Sequence, residues 1–130
     1  MSDIENRADV MVFVDAFYTK VQNDELLAPI FATRIPADGW GKHLNRMYDF
    51  WETVLLNVQA YKGNPFSKHA ALPVEAEHFE HWVKLFSEVM DEHFEGVRAT
   101  DAKERAHKMG LLFAAKHKYY RDNPQAKTLI

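Results

Sequence analysis

Tyr61-Lys62-Gly63-Asn64-Pro65-Phe66-Ser67-Lys68-His69-Ala70-Ala71-Leu72-Pro73 is the stretch that decides how this chain is read. Gly63 and Asn64 are turn formers that deliver the backbone to Pro65. Proline suits the first position of a helix, where its missing N–H would be unpaired anyway. Pro73 stops that helix after about two turns. A helix so short is not stable alone, and it carries one histidine, His69, near its middle. Something outside the stub must hold it, and a ligand bound through His69 is the candidate.

Outward from that stretch, composition sets the frame. A chain of 130 residues is long enough to bury one core. Its 47% hydrophobic and 27% charged content is that of an ordinary globular protein. Aromatic residues make up 13%, which predicts either a well-filled core or a pocket walled by rings. A net charge of −3 excludes the basic footprint that nucleic-acid binding requires. The first residues, Met1 to Arg7, are polar and acidic rather than signal-like. The apolar run Val10 to Val14 ends at Asp15, far short of a membrane span. The absence of cysteine rules out disulfide, thiolate-metal and thiol-nucleophile chemistry. The expected address is cytoplasmic, with no nucleic-acid or membrane partner.

Helical periodicity runs along most of the chain. Asn6 is the expected N-cap of a first helix, with Asp9 in its first turn. Val10, Phe13, Val14, Phe17, Tyr18 and Val21 then fall on one helical face. Asn23-Asp24 ends that helix and caps a short turn through Leu26, Leu27, Ile30 and Phe31. Ala32 to Gly39 reads as loop. A second long helix is expected over about Trp40–Asn57, with Trp40, Leu44, Met47, Trp51, Val54, Leu55 and Val58 as its main stripe. His43, Met47, Phe50 and Val54 form an overlapping stripe, which puts His43 at the edge of the buried face. Beyond Pro73, a third helix carries Phe79, Trp82, Val83, Phe86, Val89, Met90 and Phe94 inward, and Gly96 breaks it. Asp101 and Glu104 resemble a capping pair for a last helix. The inward face of that helix holds Ala102, Ala106, Met109, Phe113 and Tyr120. Asn123-Pro124 closes it, leaving residues 121–130 as a loose tail. The expected fold is all-α, one domain over 1–130 with its core at about 6–120.

Most of the histidines read as surface. His78 and His81 sit at i and i+3 but flank the apolar stripe among Glu77 and Glu80, so a solvated face is expected rather than a metal site. His93, His107 and His117 are scattered among charges. His43 and His69 instead stand beside apolar faces. Tyr18 and Trp82 each bring one polar hydrogen into an apolar stripe, where it needs a partner. Two readings stay open. Tyr18, His43 and Trp82 could point at one acceptor in a small pocket, or each could find its own backbone carbonyl.

These residues carry a resemblance. In order along the chain they are Phe17-Tyr18, Pro29-Ile30-Phe31, and His43 with Phe50-Trp51. Then follow Tyr61-x-Gly63-x-Pro65, His69-x-x-Leu72-Pro73 and His78-Phe79-x-x-Trp82-x-x-Leu85-Phe86. Together they resemble a truncated haemoglobin of the third group, a globin built as a two-over-two helical sandwich. The match spans about residues 6–120, and the paired-glycine motifs of the other truncated groups are absent. The resemblance implies haem b as cofactor, with His69 as the proximal iron ligand. It implies Tyr18, His43 and Trp82 as distal residues that stabilise a bound ligand, with His43 able to act as a gate. Phe31 matches the ring that wedges the haem. Phe50, Trp51 and Phe79 match haem-contacting positions, and Met47 takes an apolar distal slot. Arg46, Tyr61, Lys62 and Lys68 are candidate propionate partners.

The resemblance implies binding of O2, and with it NO, CO or peroxide. A charge-assisted hydrogen bond from a distal donor contributes roughly 1.5–3 kcal/mol, about one to two decades in ligand release. Slow release favours O2, NO or peroxide chemistry or scavenging over bulk oxygen transport. NO dioxygenase and peroxidase-like activity are the enzymatic forms, and both need an external electron donor. The alternatives are a gas-sensing globin that signals to a partner protein and a haem-free helical interaction domain.

Overall fold

A computed structural model describes residues 1–33, 35–61 and 76–122, the side chains of 120 and 121 excepted. The stub expected between the two prolines, with Lys62, Lys68 and His69, therefore lies outside the described residues. So do residues 123–130 of the expected tail and the side chain of Tyr120, whereas residues 121 and 122 of that tail belong to the last helix. The described elements are α1 (Arg7–Gln22), α2 (Ala28–Ala32), a 3₁₀ turn (Ala37–Gly39), α3 (Trp40–Leu56), α4 (Ala76–His93) and α5 (Val97–Asp122). No strand occurs among them.

Local chemistry sets the ends of these helices. The Asn6 side chain accepts from the Asp9 N–H at 3.0 Å, the N-cap expected of it. Asp24 does the same for the next turn, accepting from the Leu26 and Leu27 N–H groups at 3.0 and 2.9 Å. Asn57 terminates α3 in the left-handed region at φ 59°, a conformation asparagine tolerates. Gly96 sits at φ 143° between α4 and α5, where only glycine is at ease.

The helices form a single two-over-two sandwich: α1 with α3 in one layer, α4 with α5 in the other, and α1 packed across α4. One core cluster joins them through Phe13, Val14, Phe17, Trp51, Phe86, Val89 and Met90. Its rings meet mostly edge to face, as Phe13 does with Trp51 and with Phe86 at 5.7 Å. The core begins before residue 6, because Ile4 is fully buried in it.

Two expectations about the helices change. The last helix starts at Val97, four residues before the expected Asp101 cap. Asp101 instead lies inside α5 and bonds Arg105 at 2.9 Å. The true cap comes from the far end of the chain. Asp3 accepts from the Arg98 and Ala99 N–H groups at 3.0 and 2.9 Å, standing in for the side chain that Gly96 lacks. On α3, Tyr48 is buried although it belongs to neither expected stripe, and Val58, expected to continue the stripe, lies past the helix end and is exposed. The Tyr48 hydroxyl donates to Asp15 on α1, and the Arg7 guanidinium lies 5.7 Å over its ring. Arg7 also reaches Asp49 and Glu52 at 2.9 and 2.8 Å, so polar ties from Arg7 and Asp15 join α1 to Tyr48, Asp49 and Glu52 on α3.

Candidate functional site

A cavity of about 510 Å³ opens between the layers. Phe17 and Tyr18 come from α1, Phe31 from α2, and Trp82 from α4. Lys42, His43, Arg46, Met47, Phe50 and Trp51 come from α3, with Tyr61 just beyond it and Met109 and Phe113 from α5. Helical spacing makes the α3 wall: 43, 46, 47 and 50 fall at i, i+3, i+4 and i+7. The walls are thus largely aromatic. The charged side chains in the described lining are Lys42 and Arg46, one turn apart, with no carboxylate among them. Such a lining suits a broad apolar group with an anionic edge.

Three polar-tipped rings meet there. Tyr18 is buried, with His43 edge-on at 4.9 Å, Trp40 at 5.8 Å and Phe31 at 6.1 Å. Burial pushes its hydroxyl above the ordinary tyrosine range, so it stays a protonated donor. Trp82 lies edge-on to Phe17 at 5.6 Å and stacks on Phe86 at 6.2 Å. Its Nε1–H is buried without a hydrogen-bond partner among the described residues. A buried, unsatisfied donor costs about 1–3 kcal/mol. A native structure seldom leaves such a group without a partner.

The cavity gathers Tyr18, Phe31, His43, Arg46, Met47, Phe50, Trp51, Tyr61 and Trp82, nine of the residues singled out in the sequence. Phe79 stands one layer behind, in a small cluster with Ile30 and Phe113, its ring 6.3 Å from that of Phe113. Lys68 and His69 lie outside the described residues. The sequence reading passed over Lys42, although it precedes His43 and lies one turn from Arg46. Met109 and Phe113 were legible as an inward face but not as pocket wall.

Two other histidines differ from expectation. His81 is not on a solvated face: its Nε2 meets Asp24 Oδ1 at 2.6 Å, with both side chains partly buried. Asp24 is reached from the α1–α2 corner, which no helical wheel of α4 could reveal. His117 is half-buried, its ring 6.4 Å from that of Phe79. Among the described residues, no three His, Asp or Glu side chains converge as a metal site.

The family model for bacterial-like globins matches residues 3–118. The group 3 truncated hemoglobin ctb of Campylobacter jejuni is 36% identical over 89 residues, 66% of this chain and 70% of that one. The group 1 truncated hemoglobin GlbN of a Nostoc species is 33% identical over 91 residues, 69% of this chain and 72% of that one. The crystal structure of the group III truncated hemoglobin from Campylobacter jejuni superposes with a TM-score of 0.81 at 30% identity, covering 89% of this chain and 94% of that one. With its two-over-two helices and ring-walled cavity, the chain belongs to the bacterial-like globin family, among the truncated haemoglobins of the third group.

Proposed function

We propose that this globin binds haem b in the cavity between its layers and holds O2, or a chemically similar small ligand, against distal donors. The observation that carries this reading is the Trp82 indole N–H, buried in an apolar site with no acceptor among the described residues. The residues present fit the group. Phe31, Met47, Phe50 and Trp51 offer flat apolar walls, and Lys42 and Arg46 offer cations to two propionates. His69 is the proposed iron ligand, by its place in the chain. Haem supplies an iron centre with an open coordination position and one-electron redox chemistry.

The protein contributes polarity and exclusion of water. Tyr18 keeps its proton and Trp82 cannot lose one, so both donate to a ligand that gains negative charge on binding. His43 packs edge-on to Tyr18 at 4.9 Å and is the proposed gate of the site. Two donors slow ligand release, which suits O2, NO or peroxide chemistry or scavenging rather than bulk transport. Turnover of that kind draws electrons from an external donor.

Absorption spectra of the purified protein, ferric, ferrous and with CO, test this directly. A Soret band is expected in each state, and His69→Gly should displace the ferrous band. Protein given haemin whose spectrum stays that of free haemin, or a His69→Gly variant with an unchanged Soret band, would overturn the reading.

A further inference from the structure

We propose that His81 is a positioning residue for the pocket. Its pair with Asp24 pins the turn of α4 that carries Trp82 to the α1–α2 corner, and so fixes where the Trp82 indole N–H points. The proposal rests on the reading of Trp82 as a ligand donor and adds to it the group that aims it.

Geometry makes the case. His81 and Asp24 lie 57 residues apart in the chain, yet Nε2 and Oδ1 are 2.6 Å apart. Their side chains are only 28% and 16% exposed, so solvent screens the pair less than it would a surface pair. Asp24 is itself immobilised. Its other oxygen accepts from the Leu26 and Leu27 N–H groups, and its carbonyl accepts from the Ala28 N–H at 2.9 Å. One carboxylate therefore ties together the start of α2, which carries Phe31, and the turn of α4 next to Trp82. Both Phe31 and Trp82 face the cavity.

Direction is what the pair adds. Trp82 otherwise rests on Phe17 and Phe86, and ring contacts of that kind tolerate sliding and rotation. A hydrogen bond does not. Removing it leaves the indole in place but loosely aimed.

The test uses haem-loaded protein, reduced and saturated with CO. The indole ¹H–¹⁵N resonance of Trp82, identified by its loss in Trp82→Phe, reports the ring position, and the C–O stretching band reports the field at the ligand. His81→Leu is expected to move the resonance and the band and to quicken O2 release roughly threefold or more. His81→Gln, whose amide can still donate to Asp24, should return all three toward wild type. Asp24→Ala, which removes the oxygens that His81 meets, leaves the chain neighbours of Trp82 untouched and should move the resonance as His81→Leu does. If His81→Leu does not fold, Asp24→Ala alone decides. A wild-type resonance in the variants that fold, or a His81→Gln variant indistinguishable from His81→Leu, would overturn the proposal. A Trp82→Phe protein with unaltered C–O band and O2 release would instead remove the donor role of Trp82, and the resonance would still decide the clamp.

Discussion

A phenol is a useful donor only while it keeps its proton, and burial of Tyr18 guarantees that it does. Tyr18→Phe removes the hydroxyl and leaves the ring, with its edge contacts to Phe17, Phe31, Trp40 and His43, in place. The variant should release O2 about tenfold faster, the loss of one hydrogen bond to a ligand carrying charge. Stopped-flow release rates that barely move would show that Tyr18 only fills space. At this scale the sequence was informative where chemistry and periodicity conflict. Tyr18, His43 and Trp82 stood out because each sets a polar tip within or beside an apolar stripe. His81 did not, because its partner is an acid on another element, and helical spacing carries no information about that.

Among the elements, α5 was the least legible. Its first turn is capped by Asp3, 95 and 96 residues away from the groups it caps, and no local pattern can announce such a partner. Gly96 belongs to the same device. Besides its positive φ, a Cβ there would come within 2.5 Å of Asp3. The first long helix was readable because cap, stripe and stop signal agree within it, while the second and the close of the third were read from stripe and stop signal alone. Gly110, midway along α5, shows what else periodicity leaves out. A Cβ at Gly110 would lie 2.6 Å from Val83 Cγ2 on α4. This glycine therefore sets how closely α5 approaches α4, and with it how far Met109 and Phe113 reach into the cavity. Val83 is β-branched and has few rotamers by which to yield. Gly110→Ala should cost about 1–3 kcal/mol in overpacking, set against roughly 1 kcal/mol gained in helix propensity. Urea unfolding should show a net loss that Val83→Ala, added to it, relieves. Unchanged stability in the single variant would mean that the crossing is looser than the geometry implies.

Across the whole molecule, long-range polar ties hold the layers in register, and they titrate at opposite ends of the pH scale. Burial raises the Asp24 carboxyl, but the His81 bond and the Leu27 and Leu26 N–H groups outweigh it and hold it below the ordinary aspartate value. Asp3 is likewise held below that value, by the Arg98, Ile4 and Ala99 N–H groups against the effect of burial. A carboxyl lowered on folding stabilises the fold above its unfolded value of 3.8, and that contribution is lost as pH falls from there through the folded value. Tyr48 works the other way. Burial and the bond to Asp15 push its hydroxyl up to about 12 from 10.0, so its contribution is present below 10.0 and lost as pH rises toward 12. Stability should therefore form a plateau with two shoulders, each assignable to named side chains. Urea midpoints measured across pH should fall more steeply below 3.8 in wild type than in Asp24→Asn, which starts lower and declines less. Tyr48→Phe should lose stability at neutral pH, by about 1.5 kcal/mol for a hydrogen bond to a charged acceptor. It should also shrink the alkaline shoulder, to which the buried Tyr18 contributes as well, and leave the acid one as it was. If Asp24→Asn ran parallel to wild type through the acid range, the His81–Asp24 tie would contribute nothing to the fold.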